Sequence, residues 1–128
     1  MEFHDPQVIL FSDDLPRAVR FYQRLGFEQT FRTPPDGDPI HVDLRLGGYT
    51  IGIATGESSR SDHGLDPVVS GQRATVVVWC DDVDAAYAAL VAEGVVSLKA
   101  PHPFLGRLRI AWLSDPDGNP VQLAQSLR

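Results

Sequence analysis

Apolar and polar positions change period along this chain in a regular order. Residues 7–12 and 74–80 are rich in β-branched and aromatic side chains, which is the composition of short strands. A stretch with helical spacing follows each: Val19, Tyr22 and Leu25 in the first, and Val83, Ala86, Tyr87, Leu90 and Val91 in the second. Asp14 and Asp82 stand where a helix start needs a side-chain acceptor. Pro16 fits a first turn whose N–H has no partner to lose, and Gly26 and Gly94 fit the left-handed position past a helix end. Three more alternating blocks come after each helix, at 27–33, 41–46 and 49–55, and again at 95–100, 107–113 and 120–124. Gly47-Gly48 and the run Asp115-Pro116-Asp117-Gly118-Asn119 supply hairpin turns between the last two blocks of each set. Turn chemistry accounts for that pentapeptide without any catalytic role.

The order is therefore βαβββ, twice, in an α+β chain. Identity supports the repeat, because Phe11-Ser12-Asp13-Asp14-Leu15 matches Trp79-Cys80-Asp81-Asp82-Val83 at an offset of 79 − 11 = 68 residues. The same offset relates Ala18 to Ala86 and Gly26 to Gly94. The expected layout is a single domain of two modules, about 3–56 and about 74–126. The intervening residues, about 57–73, are rich in Ser, Gly and Asp and read as a surface connection.

Composition narrows the function classes. A chain of 128 residues with 43% hydrophobic and 22% charged residues is an ordinary folded domain. One cysteine, Cys80, excludes an intramolecular disulfide and a multi-cysteine zinc site. With 11 basic against 17 acidic residues the net charge is −6, and Lys99 is the single lysine. No nucleic-acid partner is expected, since that affinity comes from clustered Lys and Arg. The start of the chain is not a basic leader and no apolar run is long enough to span a bilayer, so a cytoplasmic location without membrane contact is expected.

Three pieces in order carry a resemblance: Asp14 to Tyr22 with Leu25-Gly26-Phe27, Val83 to Tyr87 with Gly94, and Ser114 to Asn119 followed by Val121-Gln122-Leu123. Over nearly its whole length the chain resembles the vicinal oxygen chelate superfamily of glyoxalases, extradiol dioxygenases, and fosfomycin- and bleomycin-resistance proteins. The resemblance implies curved, half-open mixed sheets around a cavity, with the helices on the outer face. It also implies a divalent metal held by four strand positions, which here fall on Gln7, Gly52, Thr75 and Gln122. Glycine donates nothing, a threonine hydroxyl is a poor ligand, and two neutral amides do not neutralise a divalent ion. Neither a metal nor another cofactor is therefore expected. Gln122 is likewise no general base, because an amide takes no proton at neutral pH.

The resemblance is closest to the metal-free, bleomycin-resistance-like branch. It implies a homodimer that sequesters an antibiotic-like or aromatic small molecule, and the acidity agrees with a cationic ligand. The alternative is a metal-dependent or metal-independent lyase, isomerase or dioxygenase of the same superfamily with a non-standard site, either a metal site drifted to residues such as His4 or His41 or a polar pocket that works without metal. Whether the modules pair within one chain or across a dimer is open.

Strand alternation selects the residues that share the implied cavity face. With Gln7 and Thr75 as reference, Ile9, Phe11, Val77 and Trp79 follow, while Val8, Leu10, Val76, Val78 and Cys80 pack toward the helices. His41, Asp43 and Arg45 lie opposite the apolar Val42, Leu44 and Leu46. Arg107 and Arg109 alternate with Leu108, Ile110 and Trp112, and the arginines are assigned to the cavity. The candidate ligand-binding residues are thus Gln7, Phe11, His41, Asp43, Arg45, Trp79, Arg109 and Gln122. Their mix of aromatic surface and hydrogen-bonding groups suits a planar, polar ligand.

Overall fold

In a computed structural model, which describes residues 1–127, the chain forms two compact units, Met1–Ser70 and Gly71–Arg128. The first contains β1 (Val8–Ser12), α1 (Leu15–Arg24), β2 (Glu28–Thr33), β3 (His41–Leu46), β4 (Tyr49–Thr55) and α2 (Gly56–His63). The second contains β5 (Val76–Trp79), α3 (Val83–Ala92), β6 (Val96–Phe104), β7 (Leu108–Ser114) and β8 (Pro120–Ser126). Each unit is one four-stranded mixed sheet. The orders are β1-β4-β3-β2 and β5-β8-β7-β6, and β1 with β4, like β5 with β8, forms the parallel pair. The two βαβββ modules expected from the repeat are the observed α+β architecture.

Helix α1 begins as its sequence dictates. The Asp14 carboxylate accepts from the Arg17 N–H at 3.2 Å, and Pro16 sits in the first turn. Leu15, Ala18, Val19, Phe21 and Tyr22 are buried on it, and Leu10, Val42, Leu44 and Ile53 are buried on the sheet face toward that helix. Tyr22 is fully buried, with Phe21 and Phe27 in edge-on contact at centroid distances of 4.9 and 5.6 Å. In the second unit Asp82 caps α3 through the Ala85 N–H, and Gln125 on β8 accepts from the Val83 N–H. Val83 and Leu90 are buried on α3, and Val78, Ala111, Leu113, Val121 and Leu123 are buried on the sheet.

The residues expected to be an irregular connection open with α2. Thr55 caps it by accepting from the Ser58 N–H, and Gly64 ends it in the left-handed conformation. Ser59 bonds back to the Thr55 carbonyl and Ser58 to Asp62. These bonds stabilise a helix whose polar composition has no apolar stripe. Val8, assigned inward from its parity, is exposed on the edge strand β1, and Cys80 is only half-buried.

The Asp115–Asn119 turn is a closed hydrogen-bond network. Asp115 Oδ1 accepts from the Asp117 and Asn119 N–H groups, and Asn119 Nδ2 donates to Asp115 Oδ2. Asn119 Oδ1 accepts from the Arg73 and Ala74 N–H groups, which fixes the chain leading into β5.

Candidate functional site

Register brings three of the candidate side chains together. Ile9 lies beside Gly52 in the β1–β4 ladder, and Gly52 lies beside Asp43 in the β4–β3 ladder, so all three share the sheet face opposite α1. Gln7, just before β1, and His41, two residues before Asp43, complete that face. Gln7 Nε2 donates to Asp43 Oδ1 at 2.7 Å, and His41 Nε2 meets the same oxygen at 2.6 Å. Because a carboxylate oxygen accepts, His41 Nε2 carries the hydrogen. The His41 and Asp43 side chains keep 24% and 22% of their surface exposed, enough to be reached by a ligand. Phe31, the direct neighbour of Asp43 on β2, lies edge-on to His41 at 6.3 Å.

Gly52 makes this cluster possible. A Cβ there would stand 3.0 Å from Gln7 Nε2, 3.0 Å from His41 Cε1 and 3.1 Å from Ile9 Cγ1. Phe11 lies further along the same face, beside Ala54, and is partly buried. Arg45 shares the face by parity but is not part of the cluster. Its guanidinium turns to the hairpin and donates to the Gly47 carbonyl at 3.0 Å.

In the second unit Val77 and Trp112 both flank Gln122 in the ladders, so these three share the face opposite α3. Trp79, beside Ala124, lies on the same face and is 64% exposed. Thr75, just ahead of β5, is exposed.

Arg109 departs from its assignment. It shares the helix-covered face with Ala111 and Leu113, and its Nε and Nη2 bond both oxygens of Asp84 on α3, at 2.6 and 2.9 Å. That bond holds the Asp84 carboxyl below the usual range and raises the guanidinium. The reversal has a structural origin. Asp43 occupies the place in its ladder that Trp112 occupies in the second, an offset of 112 − 43 = 69 rather than 68. Strand β6 shifts register between Lys99 and His102, a shift that β2 lacks. One extra residue there turns β7 over. Trp112 is consequently a face residue that alternation alone assigned to the core. Phe31 was also missed, and its register partner Asp43 is what identifies it.

The four positions at which the superfamily holds a metal do not fit one here. Gly52 lacks a donor and its space is filled by neighbours, the Gln7 amide nitrogen is engaged by Asp43, and Thr75 and Gln122 are neutral. No group of three His, Cys, Asp or Glu side chains gathers among the described residues in a way that would hold a metal. Burial is the main influence on the Cys80 thiol and pushes its pKa up, away from a reactive thiolate.

Two tandem βαβββ units, each with its own helix on one sheet face, define a paired-module protein. A family model, described as the glyoxalase/bleomycin resistance protein/dioxygenase superfamily, matches residues 6–123, and the chain belongs to that superfamily. It is similar to the uncharacterised protein Mb0911c of Mycobacterium bovis, at 29% identity over 93% of this chain and 81% of that one. Among solved structures it resembles TioX from Micromonospora sp. ML1, with TM-score 0.78 and 25% identity over 98% of this chain and 100% of the other. It also shares its fold with TnmS3, an antibiotic binding protein from Streptomyces sp. CB03234. There the TM-score is 0.71 and the identity 24%, over 98% and 97% of the two chains.

Proposed function

We propose that this protein is a metal-free small-molecule-binding member of its superfamily that sequesters an antibiotic-like or aromatic metabolite without covalent chemistry. The observation that carries the reading is Gly52. Where a metal-dependent relative needs a donor side chain, this chain has none, and the amide of Gln7 and the imidazole of His41 fill the space. The rival reading is a metal-dependent or metal-independent lyase, isomerase or dioxygenase with a non-standard site. Against its metal-dependent form stand the missing donors at these positions and the lack, among the described residues, of any three His, Cys, Asp or Glu gathered to hold a metal. Within the first unit Phe11 stands with the polar groups of Gln7, His41 and Asp43, and within the second Trp79 and Trp112 stand with Gln122. Each set by itself suits a planar ligand held by stacking and a few fixed hydrogen bonds. The fold shared with TnmS3, an antibiotic binding protein, supports the same class of ligand.

The proposal includes a cytoplasmic homodimer that binds neither nucleic acid nor membrane. Exposed Val77 and Trp79 on the sheet-edge strand β5 support pairing with a second copy, and light scattering at micromolar concentration tests it. Among the described residues no helix is long and apolar enough to cross a membrane.

Two measurements test the central claim. Elemental analysis of protein purified without chelator is expected to find no stoichiometric zinc, nickel, manganese or iron, and finding one overturns the metal-free reading. A thermal-shift panel of glycopeptide, quinone and phenazine-type antibiotics is expected to contain stabilisers, since a ligand at about 100 times its Kd adds about 3 kcal/mol. A panel with no stabiliser, together with no change in the protein's Trp fluorescence on adding any of its members, counts against binding.

A further inference from the structure

Resting on the small-molecule reading, the geometry points to the Gln7–Asp43–His41 cluster as a hydrogen-bond-accepting site that selects planar aromatic ligands bearing a free hydroxyl. Asp43 Oδ1 accepts from Gln7 Nε2 and from His41 Nε2. With Nε2 committed as a donor, neutral His41 presents the lone pair of Nδ1, and Nδ1 has no hydrogen-bond partner among the described residues. Asp43 Oδ2 likewise accepts no hydrogen bond from any described residue. The half-exposed cluster therefore offers acceptors without a matching donor, and a hydroxyl is the group that satisfies one of them.

The surroundings specify the rest of the ligand. Ile9 and Phe31 are exposed on the same face and Phe11 is half-exposed, which gives an apolar floor beside the acceptors. Asp43 is the charged group in contact with His41. The other neighbours on the packed strands, Gln7, Ile9, Gly52 and Phe31, carry no charge. Gly52 leaves the imidazole and amide room to converge on Asp43, which fixes the imidazole tautomer. Asp43 and Gln7 are positioning residues in this arrangement, and His41 makes the ligand contact.

The test compares 4-methylphenol, whose hydroxyl stays protonated at neutral pH, with 4-methylanisole, the same ring with its hydroxyl methylated, by equilibrium dialysis against the full-length chain. The phenol is expected to bind roughly tenfold or more tightly than the ether. His41→Phe keeps an aromatic ring and is expected to bring the phenol down to the ether's affinity while leaving the ether unchanged. Asp43→Asn is expected to narrow the phenol-to-ether ratio. Independently of any ligand, the 15N spectrum of the neutral form of His41 is expected to report the Nε2–H tautomer, and Asp43→Leu to disturb it. Circular dichroism of each variant checks folding. Equal binding of phenol and ether, an unchanged ratio in His41→Phe, or an Nδ1–H tautomer overturns the assignment. If the antibiotic panel binds while the ratio stays at one, this assignment fails and the small-molecule reading stands. If neither probe nor panel binds, both fall.

Discussion

Gly52 and Asn119 show how much a single side chain decides in this molecule. At Gly52 a methyl group meets three side chains at 3.0–3.1 Å, none of them backbone, so the neighbours can move. Gly52→Ala is therefore expected to fold, to lose about 1 kcal/mol from overpacking, and to part Gln7 and His41 from Asp43. Binding of the methylphenol probe is expected to weaken more than that stability loss accounts for, as dialysis beside thermal melting will tell. Asn119 is fully buried and holds the Arg73 and Ala74 N–H groups together with the Asp115 carboxylate. Asn119→Ala removes an acceptor from two backbone donors, and a loss of about 2–3 kcal/mol in urea unfolding is expected. A loss under half that figure means water replaces the amide. These residues differ in how far sequence discloses them. The turn motif identified the Asp115–Asn119 hairpin, but the reach of Asn119 back to residues 73 and 74 has no local signal. The Gln7–Asp43–His41 cluster was half visible: parity gave the shared face, and only the register against Gly52 gave the convergence.

Elements were legible wherever their chemistry is local. Caps at Asp14 and Asp82, closing glycines and alternating apolar positions gave both βαβββ units, and the offset of 68 held through the first strand and the helix of each. It fails on β7, because the bulged stretch of β6 between Lys99 and His102 adds a residue and reverses every side chain that follows. Alternation has no means of counting a bulge, and this single slip placed Arg109 on the helix-covered face and Trp112 on the face opposite α3. Helix α2 escaped for a different reason, since polar serines bonded to their own backbone resemble a loop in composition. The corrected role of Arg109 is to tie β7 to the start of α3 through Asp84. The Asp84 carboxyl is held low mainly by the Arg109 hydrogen bond. A depressed acid contributes stability above the ordinary carboxylate pKa of about 3.9, and that contribution is lost as pH falls through the lower folded value. Arg109→Leu is accordingly expected to leave probe binding at neutral pH unchanged and to flatten the acid limb of the stability curve. A fall in ligand affinity with an unchanged acid limb would return Arg109 to the binding face.

For the whole molecule the net charge of −6 gains meaning once the arginines are located. Arg45 and Arg109, expected in the cavity, would offset a cationic ligand there, but Arg45 bonds the Gly47 turn and Arg109 the Asp84 carboxylate. Asp43 is left as the charged group of the Gln7–His41 cluster. An acidic chain with a carboxylate at the acceptor site attracts a hydroxylated aromatic that also carries an amine, and salt screens that attraction over about 10 Å at 0.1 M. An aminoalkyl phenol is thus expected to bind more tightly than the neutral alkyl phenol of the same size at low salt, and the gap to close by about 1 M NaCl. The hydroxyl-dependent part of the affinity, read from the corresponding methyl ethers, is expected to persist at high salt because a direct hydrogen bond is not screened at that range. If the amine brings no advantage at low salt, the acidity is a property of solubility alone, and the hydroxyl-accepting cluster must select its ligand without help from the charge of the chain.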